Sequence, residues 1–259
     1  MSQPLVSCLM VTKNRVHLTR RSLECFSRQT WENRELVIID DGEEDYSPLV
    51  AEYAPRHTIR YVKTKNDGNL RLGGLRNISL DQARGEYCIQ WDDDEWYDDT
   101  RITAQMESMQ RQHLDGIVLF STLMHLDTPD FIEHPYRSNL RRGIPGTILH
   151  KKTDIRYPND SKGEDTRFLA DLRREMQIGI MDIPHSHLFI RCLHGANTWD
   201  EKHFVERLRY SFRDKLSCLY ACFFRRDIRA HRRFRLTDED RRVFGDCLRF
   251  SREHGLFRN

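Results

Sequence analysis

No stretch of this sequence is long and apolar enough to cross a membrane. Runs such as Leu36 to Ile39 and Ile117 to Phe120 fall far short of the roughly 20 residues a spanning helix needs. The N-terminus, Met1-Ser2-Gln3-Pro4, lacks the cationic start, long apolar core and small-residue cleavage site of a signal peptide. A cytoplasmic location is therefore expected, free or peripheral at the inner face of a membrane. CxxC pairs are missing too. The seven cysteines are odd in number and lie mostly in apolar contexts, so they read as reduced core thiols. Cys218 and Cys222 stand at helical spacing, but two thiolates do not complete a zinc site. The twelve histidines form no HExxH pattern, which argues against a zinc hydrolase. There is no internal repeat, low-complexity segment or disorder-type composition.

What is present is a 259-residue chain with 42 Lys+Arg against 40 Asp+Glu, enough to bury one sizeable core or a core with a helical extension. The balance conceals an asymmetry. Residues 201–259 hold 16 Lys+Arg and 9 Asp+Glu, net +7, leaving residues 1–200 at net −5. A basic tail suits nucleic acid, anionic lipid or a phosphorylated substrate, and equally a solvated helix face.

Hydrophobic periodicity orders the chain as strand and helix in alternation. Strands are expected at Leu5–Val11, Glu35–Ile39, Thr58–Val62 and Tyr87–Trp91. A helix begins near Leu18, and others cover Asn69–Arg84 and Thr100–Gln112. Strands at Gly116–Leu123 and Gly146–His150 follow, then a helix from Glu164 to about Met176 and strands at Ile178–Asp182 and His187–Cys192. Tail helices are expected at Phe204–Phe224 and Asp238–Phe250. This pattern predicts an α/β fold with a mostly parallel sheet flanked by helices, and ligands at the carboxyl ends of its strands.

The acidic clusters fall at those ends. Trp91-Asp92-Asp93-Asp94-Glu95-Trp96 crowds carboxylates whose repulsion a divalent cation with oxygen ligands would offset, Mg²⁺ or Mn²⁺ with substrate phosphates completing its shell. An acidic loop capping the next helix is the plain alternative, although Asp98 or Asp99 would cap better. Asp40-Asp41 ends a second strand, as an ordinary turn or as an acceptor for a nucleobase or ribose, with Arg71 nearby. Glu164-Asp165 opens a helix, where acidic residues are favoured by the helix dipole and where a catalytic base would also fit. His194, followed by Gly195, is a candidate imidazole ligand, although a lone His is more often structural.

Taken in order, these motifs resemble family 2 glycosyltransferases of the GT-A fold. The matching residues are Val6 to Arg15, Ser27-Arg28-Gln29-Thr30, Glu35 to Gly42, Arg76-Asn77, and Gly85-Glu86-Tyr87 leading to Asp92-Asp93-Asp94-Glu95-Trp96. The resemblance covers residues 4–105 closely and extends to about 199. It implies a Rossmann-like catalytic domain over 1–199, with a nucleotide-sugar half at 1–105 and an acceptor half at 106–199, and a basic helical extension at 200–259. It also implies inverting transfer from a nucleoside diphosphate sugar, UDP-sugar favoured, to a hydroxyl acceptor. Thr12, Asn14, Arg15, Asp41 and Arg71 would serve the nucleotide-sugar. Asp92 and Asp93 would lie near ribose or its water, and Asp94 with His194 would hold Mn²⁺ or Mg²⁺. Asp165, in a pair with Glu164, would be the general base. Two departures stand out: Lys13 where many relatives carry an aromatic residue, and Glu43-Glu44-Asp45 after Asp41-Gly42 in place of Ser-x-Asp.

Two rival readings use the same residue types. A nucleotidyltransferase shares the acidic metal ligands, but no glycine-rich basic phosphate loop follows the first strand. A non-catalytic nucleotide-sugar or glycan-binding module would need no base. The acceptor stays open among glycan, lipid-linked and nucleic-acid hydroxyls or bases. In the tail, Leu216, Leu219, Tyr220, Phe223 and Phe224 stand beside Arg225 and Arg226. That face is expected to pack on the catalytic domain or a second subunit; an anionic membrane or a phosphate backbone are the alternatives.

Overall fold

A computed structural model describes residues 3–65, 68–194 and 206–257, Arg207 by its backbone alone. The expected Gly195–Trp199 stretch and the start of the expected Phe204 helix lie outside the described residues.

Strands β1 (Val6–Thr12) and β2 (Arg34–Asp40) are buried along nearly their whole length, because parallel strands are covered on both faces and so read as unbroken apolar runs. β2 pairs in parallel with β3 (Thr58–Lys63), and β1 with β4 (Tyr87–Gln90). A two-residue strand, β5 (Trp96–Tyr97), follows the acidic cluster. Next come β6 (Gly116–Leu119), β7 (Ser121–Leu126), β8 (Tyr136–Asn139), β9 (Leu149–Lys151), β10 (Ile178–Met181) and β11 (Phe189–Leu193). Seven strands form the main sheet in the order β10-β6-β9-β4-β1-β2-β3, with β9 antiparallel to both neighbours. The remaining four form a second sheet, β5-β11-β7-β8.

Helices α1 (Val16–Ser27), α2 (Ser47–Tyr53), α3 (Leu72–Gln82), α4 (Arg101–Arg111) and α5 (Glu164–Glu175) connect and flank these strands. The α/β architecture with a mostly parallel sheet is therefore the one expected. The strand expected at Gly146–His150 is a 3-10 turn over Pro145–Thr147 followed by β9, β5 and β8 were not expected, and three further details differ. The single strand expected at Gly116–Leu123 is two strands in different sheets. Phe120 makes the break, donating its amide to Met181 and accepting from Leu140. α2 was not expected; a proline in its first turn starts seven residues of helix after the Asp45 turn. The strand expected from His187 begins only at Phe189, after a 3-10 turn through Pro184.

The tail makes two kinds of contact. α7 (Asp238–Glu253), started by a reciprocal Thr237–Asp240 cap, sends Val243, Phe244, Cys247 and Leu248 into the same core as Val6, Leu23, Trp91 and Ile190. α6 (Phe212–Leu219) and the wider-wound turn Tyr220–Arg225 behave differently. Leu216, Leu219 and Tyr220 are about half exposed, and Phe223 and Phe224 are 74% and 79% exposed. The expectation that this face packs on the catalytic domain is thus corrected: within the chain it faces outward. The helical run expected to Phe224 also stops being α-helical at Leu219.

α6 is anchored by Asp214, which is wholly buried. Asp214 accepts from Arg233 Nε at 3.0 Å and Nη2 at 2.7 Å, and from Arg232 at 2.9 Å. Arg233 in turn donates to the Arg137 carbonyl on β8 at 2.8 Å. Burial opposes the Asp214 charge, but the bonds from Arg233 and Ser211 outweigh it and hold the carboxyl down at about 2. A depressed folded-state pKa contributes stability above the ordinary value of 3.8, and that contribution is lost as pH falls toward 2. We expect Asp214→Asn to cost about 3 kcal/mol at pH 7, since it leaves Arg233 buried without its counter-charge. The gap between variant and wild type should narrow below pH 4 in urea titrations. A gap independent of pH would refute the ion-pair account.

Candidate active site

The parallel register brings Thr12 beside Asp40 and sets the end of β4 next to β1, so three strand ends open on one edge of the sheet. A cavity of about 580 Å³ lies there. Its walls are Arg15, Arg76 and Asp92–Glu95 on one part, the connector 140–146 on another, and α5 from Glu164 to Arg173 on a third. Asp94 and the expected base residues Glu164 and Asp165 thus line one cavity, although Asp94 and Asp165 are 71 positions apart in the chain.

The aspartates stand on an aromatic floor. Trp91 and Tyr97 have ring centroids 4.0 Å apart, Tyr97 stacks on Phe189, and the buried Arg101 guanidinium lies 4.4 Å from the Tyr97 centroid. The Tyr97 hydroxyl accepts from the Asp92 amide at 2.7 Å, which fixes the strand end. Above this floor Arg15 is a fork: Nη2 lies 2.9 Å from Asp93 Oδ1 and Nη1 2.7 Å from Asp94 Oδ2. His194 Nε2 reaches the same Asp94 Oδ2 at 2.9 Å. The two neighbouring carboxyls separate in their titration. Burial and the adjacent Asp94 charge push Asp93 up to about 7, against Arg15 and Thr12. Asp94 is held well below the usual range despite burial, by the bond to His194 and by Arg15.

Arg76 joins this cluster to α5. Its Nη2 donates to Asp92 at 3.0 Å and its Nε to Glu164 at 3.3 Å, with Tyr157 5.9 Å below the guanidinium. Burial pushes Glu164 up, offset in part by Arg76. Asp165 is the next residue, half-buried on the cavity wall, and its Oδ1 accepts from the Thr166 amide at 2.6 Å.

Arg76 was not singled out for a role from the sequence. The available signal is Gly73-Gly74 just before it. A Cβ on Gly73 would sit 1.8 Å from the Pro158 carbonyl oxygen, so this face of α3 presses against the segment leading to α5. A charged residue one turn along that face had to find a partner.

The remaining expected residues spread out. Thr12 is buried and gives its hydroxyl to Asp93 at 2.5 Å, with Tyr46 at 2.7 Å. It lies beneath the aspartates rather than along the cavity wall. Asn14 takes a left-handed backbone and accepts from the Glu43 and Glu44 amides, tying the loop after β1 to the loop after β2. Asp41 accepts from Lys13 at 3.1 Å and Thr64 at 3.1 Å. Arg71 is exposed at the start of α3 and does not line the cavity. Glu95 accepts from the Cys192 amide of β11 at 2.5 Å.

Among the described residues no group of three or more His, Cys, Asp or Glu side chains converges as a metal cage. One carboxylate oxygen and one imidazole nitrogen do converge, in Asp94 and His194, and this pair fits a Mn²⁺ or Mg²⁺ ion whose other ligands are water and phosphate.

The profile of Glycosyl transferase family 2 matches residues 7–176, well over half of the chain. The chain is 36% identical over 96 residues to EpsH of Bacillus subtilis (strain 168), a match covering 37% of this chain and 28% of that protein. It is 25% identical over 209 residues to an uncharacterized glycosyltransferase of Haemophilus influenzae, covering 74% and 80%. The chain therefore spans under a third of the first relative and four fifths of the second. Among solved structures, Staphylococcus aureus TarS 1-349 in complex with UDP-GlcNAc superposes with a TM-score of 0.59 at 17% identity, over 79% of this chain and 64% of that one. The mannosyltransferase PcManGT of Pyrobaculum calidifontis, in complex with GDP-Man and Mn²⁺, gives 0.58 at 13% identity, over 98% and 76%. These likenesses place the fold in the GT-A class, and on the strength of the family match this chain belongs to glycosyl transferase family 2.

Proposed function

We propose that this glycosyltransferase moves a sugar from a nucleoside diphosphate donor, UDP-sugar favoured, to a hydroxyl acceptor by one inverting displacement, with Asp165 as general base. The observation that carries this reading is the shared cavity, in which Asp165 on α5 and the Asp92–Asp94 cluster are joined through Arg76 and Glu164. The UDP preference draws on TarS, whose structures hold UDP-GlcNAc and UDP. The GDP-Man complex of PcManGT is the counter-example to test against.

In this scheme the acceptor hydroxyl gives its proton to the Asp165 carboxylate as its oxygen attacks the anomeric carbon. The bond to the diphosphate breaks on the opposite face, which inverts the configuration. Asp94 and His194 would hold a divalent ion, and that ion supplies positive charge to the leaving diphosphate. Arg15 keeps Asp94 ionised and fixes its orientation, and Thr12 fixes the orientation of Asp93 from below. Asn14 and Asp41 order the two loops that would bound the nucleoside, and Arg71 stands at its exposed edge.

Turnover is expected to stop with EDTA and to return with Mn²⁺. Asp94→Asn should lower Mn²⁺-dependent transfer by roughly 10²-fold or more, in line with loss of one group that meets developing charge. Donor hydrolysis or transfer at full rate in chelator would overturn the metal assignment. Product mass with UDP- and GDP-sugars decides the donor.

The catalytic unit takes in α7, whose apolar face completes the main core. The outward face of α6 and Tyr220–Arg225 pairs Phe212, Phe223 and Phe224 with Arg213, Lys215, Arg225 and Arg226. This arrangement suits an anionic bilayer, where aromatic rings enter the interface and cations meet lipid phosphates. Sedimentation with phosphatidylglycerol vesicles is expected for wild type and lost in a Phe223→Ser, Phe224→Ser variant. Equal sedimentation of the two would exclude this surface.

A further inference from the structure

The arginines of the cavity fall into two groups. Arg15 is paired with Asp93 and Asp94, Arg76 with Asp92 and Glu164, and Arg191 lies 3.7 Å from Glu95. Arg141, Arg142 and Arg173 line the same cavity, and among the described residues none of them has a carboxylate at ion-pair distance. Their backbone is firmly placed. The Gly143 amide donates to the Leu140 carbonyl at 2.9 Å, Leu140 donates to Phe120 at 3.0 Å, and Ile144 donates to Leu119 at 2.8 Å, so the turn is fastened to the end of β6. Gly143 has φ +74°, and a Cβ there would stand 2.1 Å from Val118 Cγ2. The same hypothetical Cβ lies 3.6 Å from Arg173 Nη2, and that nitrogen donates to the Arg142 carbonyl at 2.6 Å. Burial and the neighbouring Arg142 charge both press the Arg173 guanidinium down from its usual range.

Like charges gathered on a cavity wall without a counter-charge repel one another, and an oxyanion relieves that repulsion while accepting from several guanidinium forks. Arg173 follows Asp165 by eight residues on α5, about 12 Å along the helix axis. The two side chains meet the cavity at different positions along α5, which suits a phosphate on a unit of the acceptor beyond the hydroxyl that Asp165 would deprotonate. We propose that Arg141, Arg142 and Arg173 form an anion subsite for the acceptor and that the acceptor carries a phosphate. The inference rests on the assignment of Asp165 as base only for the direction of the acceptor, not for the anion site itself. The phosphate could belong to a soluble phosphorylated glycan or to a lipid headgroup. Tyr210, on the same cavity wall and about half exposed, leads into the outward aromatic stretch of the tail.

The test uses the full chain and calorimetric titration with glycerol 1-phosphate, glycerol, UDP and GDP, on wild type and on an Arg142→Gln, Arg173→Gln variant. Glycerol 1-phosphate should bind wild type, and glycerol should not. The variant should bind the phosphate about tenfold more weakly or worse, the worth of one charge-assisted hydrogen bond, with UDP affinity unchanged. Arg142→Lys with Arg173→Lys should recover part of the loss, which separates charge from misfolding. Glycerol 1-phosphate binding no better than glycerol, or equally to wild type and variant, overturns the proposal. Parallel loss of UDP also overturns it, since the arginines would then serve the donor. Failure of UDP and GDP to bind wild type would instead sink the transferase scheme and leave the phosphate measurement standing. Monomeric short-chain phosphatidylglycerol binding wild type more tightly than glycerol 1-phosphate, with that binding lost in the Arg142, Arg173 variant, assigns the phosphate to a lipid; no preference for the lipid assigns it to a soluble acceptor.

Discussion

Asp165→Asn is expected to lower sugar transfer by about 10³-fold, inside the roughly 10²–10⁴-fold range of general base catalysis, while the Kd for the nucleoside diphosphate changes less than about threefold. The reason is geometric. Asn keeps the oxygen that accepts from the Thr166 amide and hydroxyl, so the first turn of α5 is retained, and Arg76 still pairs with Glu164 next door. Only the basicity is lost. Asp165→Ala would also open space on the cavity wall and is the less informative change. Single-turnover transfer and calorimetric UDP binding on the same preparation check the expectation. If both fall together, Asp165 is a structural residue of the helix start; if neither falls, proton removal belongs to another group.

Arg76→Met is expected to destabilise the fold by about 3–5 kcal/mol and to abolish measurable transfer, because it strands two carboxylates at once. Arg76 is nearly buried. It is the counter-charge of Asp92 at 3.0 Å and of Glu164 at 3.3 Å, and burial already pushes Glu164 toward its protonated form. For a chain of this size such a loss corresponds to a Tm about 10 °C lower. Arg76→Lys should rescue little, since an ammonium is a point charge and cannot bridge two acceptors as a fork does. Arg76→Met with Glu164→Gln should recover part of the stability by removing one stranded charge, yet not the transfer. Urea unfolding of the three variants gives the answer. A single Arg76→Met melting as wild type would mean that the two carboxylates are solvated rather than dependent on the guanidinium.

Both expectations meet in one connection. Glu164 and Arg76 are 88 residues apart in sequence, as far as their helices are in chain order, and the pair still sets where Asp165 sits relative to Asp92. A substrate spanning the cavity would contact groups positioned by one guanidinium. Changes at Arg76 should therefore affect kcat more than donor binding, because Arg15, Asp94 and His194 are held by separate bonds.

The alternation of buried runs and amphipathic helices was legible in the residues themselves. Strands such as Val6–Thr12 and Arg34–Asp40 are apolar through their middles because the sheet is covered on both sides, and helices such as α4 and α5 repeat at three and four. The acidic strand ends, the pair at the start of α5 and the family followed from the same local pattern. Those are short-range signals, so a single chain carries them openly. What only the tertiary structure decided depends on pairing across long separations. Thr12 lies beneath Asp93 instead of on the cavity wall, Phe120 divides one apolar run between two sheets, and Arg76 bridges two carboxylates. Two chemically similar tail segments also part ways. α7 buries its apolar face in the core, while Phe223 and Phe224 turn theirs outward. Periodicity states that a face is apolar, but which surface covers it is settled by the sheet edges and loops that happen to arrive there, and no local pattern encodes that.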